Sequence, residues 1–292
     1  MNTSALKSDF LLLITALIWG TAFVFQKTGM DYLGPFSFNG IRFVLGSVAL
    51  TPLVIFSLKR TAPAAYQQQR GSGIYFWGGA LAGCVLFGGA ALQQIGIMTT
   101  TAGNAGFITG LYVVITPIMG LLFRQRPGWG TWLGASLAVV GLYLLSIQQD
   151  MSISQGDLYV LVGAFFWSAH MILIGWLAPR MNPLALAQAQ FMVCGLLSLS
   201  VALCTETITW HAVLGAGDAI LYCGLMSTGV AYTLQVVAQQ EADPAHASII
   251  LSLEAVFAAV AGWIVLSELL GMREMAGCGL MLAGMLLSQL RP

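Results

Sequence analysis

The chain has 292 residues, 58% of them hydrophobic and only 8% charged, with eleven basic and eleven acidic side chains. Soluble domains carry roughly 25% charged residues, so this composition excludes a monomer that is stable in water. The zero net charge excludes the basic stripe that nucleic acid requires. An all-α integral membrane protein is the expected class.

A bilayer core takes about 20 apolar residues per helix. Windows of that length predict transmembrane helices over 10–27, 36–57, 74–97, 104–123, 129–147, 158–177, 184–204, 217–238, 246–266 and 274–290. Lys7 precedes the first run, but no small-x-small cleavage site follows and further spans do. The run therefore reads as a retained helix. Thr15, Trp19, Ala22 and Gln26 lie on one face of the first span. Arg42 falls about two turns into the second, and Gln93 lies in the third. The fourth aligns Asn104, Ile108 and Tyr112; the sixth carries Trp167 and, three residues on, His170. In the eighth, whose start is blurred by Asp218 and the glycines at 215 and 217, Thr228, Tyr232, Gln235 and Gln239 share a face. In the ninth, His246, Ile250 and Glu254 do. Gly79-x-x-x-Gly83, Gly106-x-x-x-Gly110 and Gly130-x-x-x-Gly134 allow close helix approach. Spans five and ten each present glycines seven apart, which suits peripheral supports or a subunit contact, and so a monomer or a homodimer.

The five cysteines all lie in apolar stretches without a C-x-x-C, and His170, His211 and His246 show no metal-ligand spacing. No metal and no cofactor are expected. Nor is an enzyme, because no nucleophile with its base, paired carboxylates or metal cluster is visible.

Basic residues orient the chain. With the N-terminus inside, Lys7, Lys59, Arg60, Arg70, Arg124, Arg126, Arg180 and Arg291 fall on the cytoplasmic side, and only Lys27 and Arg273 fall outside. The reading is a multi-pass protein of the inner (plasma) membrane with both termini cytoplasmic.

The two halves, 1–150 and 151–292, align with each other. Asp9, Ala16 and Trp19 match Asp157, Ala164 and Trp167, and Pro35 matches Pro183. At a slightly shorter offset Gln93 matches Gln235, Asn104-Ala-Gly-Phe matches His246-Ala-Ser-Ile, and Leu111-Tyr112-Val-Val matches Leu253-Glu254-Ala-Val. Gly134 and Gly141 match Gly277 and Gly284. Each half has an odd number of spans, so the halves enter the membrane with opposite orientation. Ten transmembrane helices in two inverted five-helix repeats are therefore expected, an arrangement that in secondary transporters places the substrate near the midplane between the halves. It favours alternating access over a channel or receptor.

The chain resembles the drug/metabolite transporter superfamily, specifically the EamA-type family of ten-helix carriers. The residues that carry the resemblance are Ala16-Leu-Ile-Trp19-Gly20, Arg42, Gly110-Leu-Tyr-Val-Val-Ile-Thr-Pro117, Leu253-Glu254-Ala-Val-Phe257 and Glu268. One place departs: Arg124-Gln125-Arg126 stands where family members often carry an acid after the fourth span. The resemblance implies export of small metabolites, often amino acids or toxic analogues, driven by an ion gradient or by exchange.

Polar groups in lipid are costly and need a partner or an aqueous cavity. A central pathway lined by spans one, three, four, six, eight and nine would give them one. Its candidate substrate contacts are Trp19, Gln93, Tyr112, Trp167, His170, Tyr232 and Gln235. Each has a plainer reading: the glutamines as interhelical hydrogen bonds, the tryptophans as packing, His170 as a bond to a neighbour's backbone. Arg42 either binds a substrate carboxylate or, the slightly favoured reading, anchors the outer interface by snorkelling. Glu254, deep in span nine, is the candidate coupling residue, with Tyr112 as its partner in the repeat. Its plainer reading is a carboxylate paired with, for example, a tyrosine hydroxyl. Sugar phosphates or nucleotide sugars call for Lys or Arg at the midplane, and only Arg42 lies inside a span. A small neutral or zwitterionic substrate is therefore expected, with lipid around the protein and protons or a counter-substrate as the drive.

Overall fold

The computed structural model describes residues 3–60, 74–100, 102–146, 154–266 and 271–290, which are helical almost throughout, and no strand occurs among them. In chain order the helices are α1 Thr3–Gly29, α2 Pro35–Arg60, α3 Ile74–Thr99, α4 Ala102–Gly110, α5 Tyr112–Leu122, α6 Trp129–Ser146, α7 Gln155–Leu177, α8 Pro183–Thr205 and α9 Trp210–Gly215. They continue with α10 Gly217–Leu221, a π-helical stretch Tyr222–Tyr232, α11 Thr233–Ala238, α12 Pro244–Leu251, α13 Glu254–Leu266 and α14 Met272–Leu290. Among the described residues, eight helical segments are long and apolar enough to cross a bilayer, and two shorter apolar ones, Trp129–Leu144 and Met275–Ser288, accompany them. The protein is an all-α, multi-pass membrane protein. Large apolar side chains such as Leu53, Phe56, Phe165 and Leu203 are exposed, as lipid-facing surfaces require, and the polar residues collect inside.

The helix starts follow from local chemistry. Pro35, Pro183 and Pro244 open α2, α8 and α12, where the missing N–H costs nothing. Ser154 and Asp157 form a capping box on α7, and Asn182 and Asp243 cap α8 and α12. α2 is capped from a distance: Glu206, just past α8, accepts hydrogen bonds from the Phe36 and Ser37 amides (3.0 and 2.8 Å) and from Ser37 Oγ (2.5 Å). At the opposite end of the same pair, Asn182 Nδ2 donates to Ser57 Oγ at 2.9 Å. Both ends of the α2–α8 contact are thus fastened.

The helix pairings exchange when the halves are exchanged. α2 packs on α8, α6 on α14 and α5 on α12, while α1 against the π-helical stretch is mirrored by α7 against α3, and α1 against α13 by α7 against α4 and α5. The α6–α14 contact rests on glycines: a Cβ on Gly134 would lie 2.6 Å from the Gly284 carbonyl, and one on Gly141 2.6 Å from that of Gly277. The order of these contacts makes α6 and α14 antiparallel. Their glycines meet each other within the chain. Gly79 and Gly83 likewise bring α3 against Ala189 and Val193 of α8, whereas Gly106 faces open space and supports no close approach.

The fourth and ninth spans are not continuous helices. α4 gives way to α5 at Leu111, and α12 to α13 at Ser252–Leu253, which are matched places in the two halves. Glu268 lies outside the described residues.

Candidate functional site

A cavity opens where α1, α2, α3, α7 and the π-helical stretch surround the two helix breaks. About 470 Å³ of it is unfilled by atoms, a figure that includes space open to solvent. α1 contributes Trp19, Phe23 and Gln26, α2 Arg42, and α3 Gln93. α4 and α5 supply Thr109 and Tyr112, α7 supplies Trp167, His170 and Met171, and Ser227, Tyr232, Gln235 and Glu254 complete the wall. All eight residues singled out from the sequence, Trp19, Gln93, Tyr112, Trp167, His170, Tyr232, Gln235 and Glu254, stand on this one wall. Three pairs matched between the halves, Trp19 with Trp167, Gln93 with Gln235 and Tyr112 with Glu254, converge on it.

An amide chain ties three helices together. Trp167 Nε1 donates to Gln93 Oε1 at 2.9 Å, and Gln93 Nε2 donates to Gln26 Oε1 at 3.3 Å. Across the cavity Gln235 Nε2 donates to Gln239 Oε1 (3.1 Å), and Gln239 Nε2 donates to the Met171 carbonyl (3.0 Å). Among the described residues, Gln235 Oε1 and Thr109 Oγ1 have no hydrogen-bond partner. Tyr232 is the aromatic hub: its ring centroid lies 4.5 Å from that of Trp19, 6.2 Å from that of Trp167 and 6.4 Å from the His170 ring. His170 Nε2 meets Gln190 Oε1 at 2.7 Å, so its partner is a side chain of α8 and not a backbone carbonyl.

The two helix breaks face each other. Tyr112 begins α5 and Glu254 begins α13, and the tyrosine hydroxyl donates to Glu254 Oε1 at 3.0 Å. Glu254 is 4% exposed, and among the described residues no cation lies within ion-pair distance of its carboxyl group. The residue matched to it by the repeat is thus its hydrogen-bond donor.

Arg42 corrects the sequence reading. It is 2% exposed and on the cavity wall, not snorkelled to an interface, so span two joins the pathway. Its position along the helix was legible; the face it presents depends on how α2 crosses α8. Span eight is corrected too. A π-helix turns more slowly than an α-helix, which brings Ser227 to the cavity and sends Thr228 toward Gly46 of α2. The carbonyls of this stretch also bond α1: Trp19 Nε1 donates to Ser227 O and Thr15 Oγ1 to Ala231 O, each at 3.2 Å. Thr15, Ala22 and Gln239 therefore serve packing around the cavity and are not on its wall. His246 lies away from it, in a chain from Asp9 Oδ1 (2.9 Å to Nε2) to Ser288 Oγ (3.2 Å to Nδ1).

The EamA-like transporter family model matches residues 6–147 and again residues 154–290, almost the whole chain. The chain belongs to the EamA-like transporter family. It is similar to an uncharacterized transporter of Archaeoglobus fulgidus, 32% identical over 98% of this chain and 87% of that protein. It is also similar to a WAT1-related chloroplastic protein of Arabidopsis thaliana, 21% identical over 92% of this chain and 66% of that one. A crystal structure that covers 97% of this chain, with 96% of its own chain matched, superposes with a TM-score of 0.78 at 16% identity, which shows the fold alone. These relatives fit the drug/metabolite transporter superfamily, and the protein is a membrane transporter.

Proposed function

We propose that the protein is a secondary transporter that carries small neutral or zwitterionic metabolites, such as amino acids or related compounds, outward by alternating access. In this reading the halves 1–150 and 151–292 are inverted five-helix repeats, ten spans in all, with both termini cytoplasmic. The observation that carries the reading is the meeting of three repeat-matched pairs on one cavity wall, because a site shared between inverted halves can be offered to either side of the membrane by rocking one against the other. Gln235 Oε1 and Thr109 Oγ1, without a partner among the described residues, leave polar atoms on the wall free for a polar occupant. The aromatic wall around Tyr232 supports one with an apolar portion.

Glu254 is the proposed coupling residue. A carboxyl group in a low-dielectric site is tolerated when protonated or well bonded, and Tyr112 supplies one bond whose loss or gain accompanies proton exchange. The drive is a proton gradient or a counter-substrate.

The experiment is overexpression followed by identification of metabolites that build up in the medium, and then counterflow of those compounds in proteoliposomes. Cysteines at Gln93 and Gln235, in a background lacking the five native cysteines, are expected to react with a small polar thiol reagent and to be protected by the identified compound. Inertness at both positions with transport intact would remove them from the pathway. Exchange of anionic metabolites of the sugar-phosphate or nucleotide-sugar type is the second reading, favoured only by Arg42 on the wall; transport of such dianions in the same screen would establish it.

A further inference from the structure

Arg42 and Glu254 are the one cation and the one carboxylate among the described residues of the cavity wall, and they do not neutralise each other. Among the described residues, the ion pair within 4 Å is that of His246 with Asp9, elsewhere in the molecule. Arg42 is instead held by its neighbours on α2. Its Nε donates to Asn39 Oδ1 at 2.9 Å, and Asn39 is fixed in turn by donating to the Ala90 carbonyl of α3 at 3.0 Å. The guanidinium carbon lies 4.6 Å from the Phe43 ring centroid and 5.7 Å from that of Phe38. Aromatic contacts occupy the faces of a guanidinium and leave its in-plane N–H edge free. No hydrogen bond from either Nη to a described residue is present.

A structural arginine in a membrane protein pairs with a carboxylate or with backbone carbonyls. This one is 2% exposed, oriented by a single amide, covered by rings and, among the described residues, left without a counter-charge, an arrangement that is unfavourable unless an anion completes it. A neutral occupant leaves the deficit in place. An amine adds to it. A phosphate dianion brings more charge than a single guanidinium balances. A carboxylate matches the free edge in charge and in bidentate geometry.

We propose that Arg42 is the carboxylate anchor of the cavity, and that the cargo is a small carboxylate-bearing metabolite. An amino acid fits best, with its ammonium group toward Glu254 and its side chain against the Trp19–Tyr232–Trp167 rings. Asn39 is the positioning residue of the anchor. The inference rests on the carrier reading above and narrows it.

The test compares the culture medium of cells overexpressing the wild-type protein, Arg42→Gln, Arg42→Lys or Asn39→Ala with that of cells carrying an empty vector, using untargeted mass spectrometry. Membrane levels and melting temperatures of each purified variant are measured in parallel. The expected result is that every compound enriched by the wild type carries a free carboxylate. Arg42→Gln is expected to lower its export about thirtyfold or more, the usual effect of leaving a buried charge unpaired. Arg42→Lys, which keeps the charge and loses the fork, is expected to retain fold and membrane level with about tenfold weaker export, and Asn39→Ala to fall between it and the wild type. Proteoliposomes then compare the leading compound with its methyl ester and its decarboxylated amine, which are expected not to compete. Enrichment of neutral, amine or phosphate compounds would overturn the proposal. So would carboxylate export that survives Arg42→Gln, or an Arg42→Lys variant that folds and exports at the wild-type rate. If the wild type alters no compound in the medium or in the cell, the carrier reading itself fails, which the first comparison reveals before any variant is scored.

Discussion

Glu254 and Tyr112 meet at the two helix breaks, and only one of the two is a carboxylic acid. Coupling through this pair would be asymmetric in a symmetric frame. Glu254→Gln keeps the size and the acceptor for the Tyr112 hydroxyl (3.0 Å) and removes the ionisable group. The expected outcome is normal expression, preserved exchange of substrate across proteoliposome membranes, and loss of accumulation driven by an imposed pH gradient. A Gln variant that still concentrates substrate at the wild-type rate, with unchanged pH dependence, would move the coupling elsewhere. At this scale the sequence was informative because polar side chains inside lipid are few and each needs a reason. Trp19, Gln93, Trp167 and Gln235 stood out by residue type, by depth and by recurrence in both halves. Arg42 stood out as well, yet depth alone says nothing of which face of α2 is covered by α8 and which by the cavity.

The helix spans were legible from apolar run length, and Pro35 and Pro183 stand at matched helix starts; the caps Asn182 and Asp243 emerged only in the structure. The breaks at Leu111 and Ser252–Leu253 were not, because no proline stands at either and the apolar run continues through both; Gly110, the last residue of α4, reads from the sequence as a close-packing glycine. The π-helical stretch was equally hidden; two of its carbonyls, Ala231 O and Ser227 O, accept from Thr15 and Trp19 of α1. Glycine spacing, by contrast, gave the α6–α14 contact its position but not its partner. Gly284→Leu would drive a side chain into the Gly134 carbonyl, 2.6 Å from the site of a Cβ. Overpacking of this kind costs about 1–3 kcal/mol or more, so a clear fall in melting temperature in detergent is expected. Gly106→Ala, which meets nothing within 4 Å, is expected to hold or slightly raise it, as alanine favours a helix over glycine by about 0.5–1 kcal/mol. A destabilised Gly106→Ala with an unaffected Gly284→Leu would contradict this account of the packing.

For the whole molecule, the proposed two inverted halves of five spans would place the junction between them and the C-terminus on opposite sides of the membrane. Reporter fusions after Gln149 and after Pro292 are then expected to read outside and cytoplasmic; a cytoplasmic signal at Gln149 breaks the two-half frame. The α6–α14 pair has a further consequence. Gly134 meets the Gly284 carbonyl and Gly141 that of Gly277, so backbone lies on backbone along this seam and no interlocking side chains have to be unlocked there. In the proposed rocking motion the seam is the hinge, and the far side of the molecule is what travels.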